Sequence, residues 1–335
     1  MIKLLAGSSF EKTYLFENKN NNFVRKKIIL NNKNNSTLLE EQYRWLKFAE
    51  KNDLKVPALI NKKKTKSFFY YDMSFINDSK NLSKFLIKNP KSKILKKVLL
   101  NINKFYQKNM IISSKDKKLL PNLLKKKIVQ SVNSLSRDYK EIIDSKKIII
   151  NGKICNGLLA TVDNFASGND SFSKMINNNF DQKSKTIIHG DLTFENILIK
   201  NNNFYFIDPY GGFLDYKSNN DILFKTNILF DIAKLCQSLI ANYENWNEKD
   251  LINLKTSKNK SFIIKSLRDN YEEKFKFLEK TFSEYKVEEF NKILKIYLVV
   301  TLARIIRYKA RQSKKLGLLS YLMATYWANE VNNEK

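Results

Sequence analysis

Between residues 186 and 208 the chain reads Thr186-Ile-Ile-His-Gly-Asp-Leu-Thr-Phe-Glu-Asn-Ile-Leu-Ile-Lys-Asn-Asn-Asn-Phe-Tyr-Phe-Ile-Asp208, a β-rich island inside a helical stretch. It restricts the fold more tightly than any other part of the chain. Ile197 to Lys200 and Phe204 to Ile207 are β-type runs, and Asn201 to Asn203 between them reads as a three-residue hairpin loop. With Asn202 at the apex, Asn196 falls opposite Asp208, and directly opposed side chains have Cβ atoms about 5 Å apart. An amide oxygen and a carboxylate so placed can share one hard cation, and Mg²⁺ takes just one or two such protein ligands beside phosphate and water. Asp191 lies on the turn entering the hairpin, where it reaches the same space without being a ligand, the place for a base. His189 is the only histidine in the chain. It reads as an anchor whose ring bonds the turn that holds Asp191, rather than as the proton carrier.

The rest of the chain divides by texture. Lys3 to Leu5, Thr13 to Glu17 and Phe23 to Leu30 are short β-rich runs separated by turn residues, the pattern of an antiparallel meander. One helix interrupts it: Thr37 with Glu40 forms a capping box, and Leu38, Leu39, Trp45, Leu46 and Ala49 then recur at helical spacing to about Lys51. Ala58 to Ile60 and Ser67 to Met73 resume the strands, joined by a basic turn from Lys62 to Lys66. After Ile76 helices take over. Ser92 to Lys108, Leu123 to Ser136, Ser261 to Tyr285, Val287 to Ala310 and Leu318 to Val331 carry apolar residues at three and four spacing, while Gly152 to Ser173 is looser. The fold class expected is α+β, a small antiparallel β lobe with one helix over residues 1–75 and a larger, mainly helical lobe over residues 76–335.

Composition bears on partners. There are 61 Lys and Arg against 33 Asp and Glu, a formal net charge of +28. A surplus of that size points toward anions. Lys, Asn and Ile are abundant everywhere, however, including in turns, and this general enrichment accounts for the surplus without a partner. Cys155 and Cys236 have neither metal spacing nor the density of a disulfide framework, so buried free thiols are expected. The N-terminal apolar stretch is too short for a signal peptide, and Lys295 and Arg304 interrupt the most apolar later stretch. A cytoplasmic protein without a membrane span is the expectation.

His189-x-Asp191-x-x-x-x-Asn196 followed by Asp208 resembles the catalytic and metal-binding motifs of the protein-kinase-like superfamily. The wording His189-Gly-Asp-Leu, Glu195-Asn-Ile-Leu and Ile207-Asp208-Pro is similar to its aminoglycoside phosphotransferase and choline kinase branch, since protein kinases usually have His-Arg-Asp and Asp-Phe-Gly there. The resemblance implies that Asp191 orients or deprotonates an acceptor hydroxyl and that Asn196 and Asp208 hold Mg²⁺ beside ATP. Asp231, in Phe230-Asp-Ile-Ala-Lys-Leu, matches a helix start of the same family and is taken as a structural cap. Strand alternation puts Val24 and Lys26 on one face, the spacing of the phosphate-contacting lysine strand, with Lys27 as the fallback. In the following helix Glu41 flanks the apolar stripe while Glu40 points away, so Glu41 is the expected ion-pair partner of Lys26. Gly7, Ser8 and Ser9 lie where the phosphate-covering loop belongs, although only one glycine of the usual pattern is present. Met73 and Phe75 fall where backbone groups meet adenine.

Two other classes compete. Ala6 to Thr13 superficially resembles a P-loop, but Ala6 and Glu11 replace its glycines and Tyr14-Leu-Phe reads as strand where a helix is required. A basic nucleic-acid-binding protein is the alternative, because Lys62 to Lys66 adjoin the aromatic run Phe68 to Tyr71. A charged turn on a hairpin accounts for those residues more simply, so nucleic acid is not expected. A kinase-like scaffold without turnover has no support either, since Asp191 and both metal ligands are present. The resulting expectation is an ATP- and Mg²⁺-dependent phosphotransferase acting on a hydroxyl of a small-molecule acceptor such as a sugar, an amino alcohol or an aminoglycoside.

Overall fold

The computed structural model describes residues 1–5, 11–17, 22–30, 37–88, 93–112, 128–166, 184–209, 225–226, 228–255, 260–268, 271–285 and 290–333. Internal contacts group them into two compact units, one of Met1–Met110 with Thr186–Asp231 and one of Ile111–Lys185 with Ile232–Lys335.

In the first unit, five strands, β1 (Ile2–Leu5), β2 (Glu11–Glu17), β3 (Asn22–Ile29), β4 (Leu59–Lys64) and β5 (Phe68–Ser74), form an antiparallel sheet in the order β1-β2-β3-β5-β4. Period-two alternation decides what this sheet buries. Leu15, Val24, Ile28, Phe69, Tyr71 and Met73 share the buried face. Helix α1 (Thr37–Lys51) packs against β3 and β5 and buries Leu39, Trp45, Leu46 and Ala49, the apolar stripe seen in the sequence. Lys62, Lys63 and Lys64 lie inside β4 and not in a turn, which is made by Thr65, Lys66 and Ser67. Because β4 is an edge strand, its lysines discourage pairing with a further chain. Two of them are also engaged within the molecule, Lys62 over the Tyr43 ring at 4.7 Å and Lys64 with Glu40 at 2.6 Å. The unit further contains the helices Leu82–Lys88 and Ile94–Lys108 and the hairpin Ile197–Lys200 with Asn203–Phe206.

In the second unit, the helices Phe290–Gln312 and Lys314–Asn333 fold back on one another about Ser313, whose hydroxyl accepts from the Lys315 N–H at 3.2 Å. They bury Tyr297, Tyr321 and Trp327 completely. Here the structure departs from the periodicity. A four-stranded sheet runs in the order Leu251–Lys255, Lys260–Ile264, Lys147–Ile150, Lys153–Asn156. The expected helix over Ser261 to Tyr285 therefore starts only at Tyr271 and ends at Thr281. A short apolar run such as Ser261-Phe-Ile-Ile satisfies either period. Strand pairing on both sides, with Leu251–Lys255 and with Ile149 and Ile150, supplies the backbone hydrogen bonds that select the extended form. Cys155 and Cys236 are buried and free, as expected. Among the described residues no helix is long and apolar enough to cross a membrane.

Candidate active site

The hairpin turns on two residues and not three. Ile197 faces Phe206 and Lys200 faces Asn203, which leaves Asn201 and Asn202 as the loop, both at positive φ (48° and 59°). That is the backbone of a type I′ turn, whose hand matches the twist of the strands, and asparagine tolerates it better than most residues. The register moves by one residue as a result. Asn196 lies opposite Ile207, whose N–H donates to the Asn196 carbonyl at 3.0 Å, and Asp208 is one place further on. Regular alternation would send the Asp208 side chain to the far face. Asp208 is itself left-handed, at φ 56°, and this breaks the alternation and frees its carboxylate to reach Lys26 at 2.7 Å.

The turn before the hairpin is held from three sides. Gly190 has φ 80°, a conformation that a side chain would strain. His189 is buried, with its ring edge-on to Trp45 of α1 at 4.8 Å. Its Nδ1 accepts the Asp191 N–H at 3.3 Å, so the other ring nitrogen carries the proton and Nε2 donates to the Ile207 carbonyl at 2.9 Å. One ring thus ties the turn bearing Asp191 to the strand end bearing Asp208, which is the anchoring role expected of it. The Asn196 side-chain Nδ2 donates to the Asp191 carbonyl at 2.8 Å and to Asp191 Oδ2 at 3.0 Å. This turns the Asn196 amide oxygen away from Asp191.

Asp231 does more than begin a helix. Fully buried, its carboxylate accepts the N–H groups of His189 (2.6 Å) and Gly190 (2.8 Å) and the hydroxyl of Tyr106. Burial pushes this carboxyl up to about 6, against those three hydrogen bonds, which favour the ionised form. Asp231 is therefore a clamp on the turn and not a helix cap, and the sequence reading missed this role.

Lys26 lies where alternation put it, on the buried face of β3 between Val24 and Ile28, while Lys27 faces the other way over the Phe68 ring at 4.7 Å. Its ammonium meets Asp208 Oδ1 at 2.7 Å, Gln42 Oε1 at 3.3 Å and Glu11 Oε1 at 3.5 Å. Burial works against this charge, but the carboxylates outweigh it and its pKa is raised. The helix residue that reaches Lys26 here is Gln42, the neighbour of the expected Glu41, which is half-buried. Gln42 also accepts the hydroxyl of Tyr71, which lies directly across from Lys26 on β5. A signal for it was present in the sequence: a polar side chain in the middle of an apolar stripe needs a partner. Met73 is buried within the paired part of β5, opposite Val24, and the Phe75 N–H donates to the Asn22 carbonyl at 3.2 Å. Gly7, Ser8 and Ser9 lie outside the described residues, as do Asp215 and Asp221.

Asp191, Asn196, His189 and Asp231 thus form one hydrogen-bonded group, and Lys26, Asp208, Glu11, Gln42 and Tyr71 a second. The His189–Ile207 bond joins them through the residue before Asp208. Among the described residues no three His, Cys, Asp or Glu side chains cluster as a metal site by themselves. The oxygens of Asn196 and Asp208 suit a hard cation that takes its other ligands from phosphate and water. The Lys26 ammonium against Asp208 shows that this carboxylate already receives a cation.

Solved structures share this fold along nearly the whole chain. A provisionally assigned fructosamine-3-kinase of Haemophilus somnus 129PT has a TM-score of 0.53 at 10% identity, covering 98% of this chain and 90% of its own. Choline kinase LicA of Streptococcus pneumoniae has a TM-score of 0.52 at 12% identity, with 98% and 93% covered. A thermostable mutant of aminoglycoside phosphotransferase APH(4)-Ia has a TM-score of 0.54 at 11% identity, with 100% and 96% covered. A further mutant of that phosphotransferase was solved in a ternary complex with ADP and hygromycin B. No protein-family model matches the sequence, and no curated protein matches it either. The chain thus shares the α+β fold of these kinase and phosphotransferase structures, a small antiparallel sheet region with a largely helical remainder.

Proposed function

We propose that this protein is an ATP-dependent small-molecule kinase that transfers the γ-phosphoryl group to a hydroxyl. One observation carries the reading: Asp191, Asn196, Asp208 and Lys26 are held near one another by hydrogen bonds and an ion pair within a single compact unit. The solved structures with this fold support it, since they are a choline kinase and aminoglycoside phosphotransferases and one holds ADP with hygromycin B. Residues 1–75 are taken as the nucleotide-binding part and residues 76–335 as the catalytic and acceptor-binding part.

Each side chain has a part in the transfer. Asp191 accepts the proton of the acceptor hydroxyl as the new O–P bond forms and the bond to the ADP leaving oxygen breaks. The Asn196 amide holds one Asp191 oxygen through Nδ2 and leaves its own oxygen for a cation. Asn196 and Asp208 would hold the cation, and Lys26, paired with Asp208 here, would then serve the phosphates. Mg²⁺ bound by Asn196 and Asp208 would neutralise charge on the β- and γ-phosphates. His189 and Asp231 fix the turn, so that Asp191 meets the hydroxyl without first losing conformational freedom. Met73, Phe75, Gly7, Ser8 and Ser9 remain assigned to the nucleotide, by chain position.

The acceptor class proposed is a sugar, an amino alcohol or an aminoglycoside-like molecule. The test is an ATP-consumption screen across those three classes, with Asp191→Asn as the control. Turnover with one class, lost in the control, supports the reading; the absence of Mg·ATP binding by the wild-type chain sinks it.

A further inference from the structure

Lys26 presents a counter-charge problem that its expected partner does not solve. Its side chain is 3% exposed, and a buried charge without a counter-charge is strongly disfavoured. The nearest carboxylate, Asp208, has a side chain 40% exposed and stands at the edge of the group. It is also the carboxylate that the proposed function gives to a metal, so in the loaded state Lys26 loses it. Helix α1 offers Lys26 the Gln42 amide oxygen, which is neutral and is shared with the Tyr71 hydroxyl.

Glu11 fits the vacancy. It opens β2, and Thr13, two residues on, faces Lys26 across the β2–β3 ladder. Glu11 is therefore the diagonal neighbour of Lys26 on the same face of the sheet, a separation that long side chains span. Its carboxylate lies 3.5 Å from the ammonium, with the side chain 15% exposed, and no metal role competes for it.

We propose that Glu11 is the positioning residue that holds Lys26 toward the nucleotide phosphates, supplying from strand β2 the negative charge expected of a glutamate on helix α1. The inference rests on the reading of the protein as a nucleotide-dependent kinase and adds a residue to it. It implies that a carboxylate returned to the helix at position 42 can replace the one on the strand.

The experiment is calorimetric titration of Mg·ATP into the full-length wild type, Glu11→Gln and the double variant Glu11→Gln/Gln42→Glu. Glu11→Gln is expected to bind about tenfold more weakly, equivalent to about 1.4 kcal/mol. The double variant is expected to return to within about threefold of the wild type, which a merely structural role for Glu11 would not produce. If Glu11→Gln does not fold, Glu11→Asp keeps the charge but draws it back from an already long contact, and a partial loss is expected. Wild-type affinity in either single variant overturns the inference, as does a loss that the helix carboxylate does not rescue or a larger loss in Glu41→Gln. A wild-type chain that binds no Mg·ATP removes the kinase reading and this inference with it, an outcome distinct from the others.

Discussion

Replacing Asp231 tests the clamp on the turn that carries Asp191. In Asp231→Ala the N–H groups of His189 and Gly190 lose this acceptor in a site that water does not reach, and the Tyr106 hydroxyl loses the same carboxylate. Each orphaned buried donor costs about 1–3 kcal/mol. The Tyr106 hydroxyl can rotate, so the two backbone groups set the scale, at about 2–6 kcal/mol. Against this, the wild-type carboxylate is disfavoured by its own burial. A rise from an ordinary 3.8 to about 6 is worth about 3 kcal/mol against the ionised form at neutral pH. The difference expected at pH 7.5 therefore runs from no loss to about 3 kcal/mol, at most a large part of a typical 5–15 kcal/mol stability.

The same carboxyl separates these two effects through pH. Its folded-state pKa lies above its unfolded value, so the stability it contributes is fully present below about pH 4 and is lost as the pH rises through about 6. Asp231→Asn has no such titration. Between pH 7 and pH 5 the wild type should therefore gain about 1 kcal/mol relative to Asp231→Asn. Urea unfolding of the three proteins at both pH values measures this, and ATP consumption reports whether the turn has loosened around Asp191. Parallel pH profiles for wild type and Asp231→Asn, or an Asp231→Ala loss well above about 3 kcal/mol, would refute the reasoning.

Three further outcomes are expected. Asp191→Asn should keep Mg·ATP affinity within about twofold and lose at least about 10²-fold in turnover, the usual scale of a missing general base; unchanged phosphorylation would remove Asp191 from the mechanism. Chelation of divalent metal should weaken nucleotide binding by about tenfold or more, measured by titration with and without EDTA, and metal-independent binding would withdraw the roles given to Asn196 and Asp208. Asn202→Gly should leave stability unchanged or raise it by a few tenths of a kcal/mol, and Asn202→Val should lower it by about 1–2 kcal/mol, because position 202 needs positive φ. Equal unfolding midpoints for the glycine and valine variants would argue against the two-residue turn.

What could be read from the chain alone was whatever depends on near neighbours. The buried place of Lys26 follows from strand alternation, and the spacing of His189, Asp191 and Asn196 defines their turn whatever surrounds it. Helix α1 and the two long C-terminal helices announced themselves by a period sustained over many residues. Where only a few residues spoke, the reading failed. The run at Ser261 to Ile264 fits two periods, and its strand pairing decides between them. The hairpin register hung on one backbone angle, since positive φ at Asn201 as well as at Asn202 shortens the loop and moves Asn196 from Asp208 to Ile207. The choice of Gln42 beside Lys26 depends on how α1 lies against the sheet, and Asp231 reaches the turn from some forty residues away. Local order follows from sterics and periodicity, which the sequence carries in full. Partnerships between distant groups exist only once packing has removed water from around them, and that is a property of the tertiary structure.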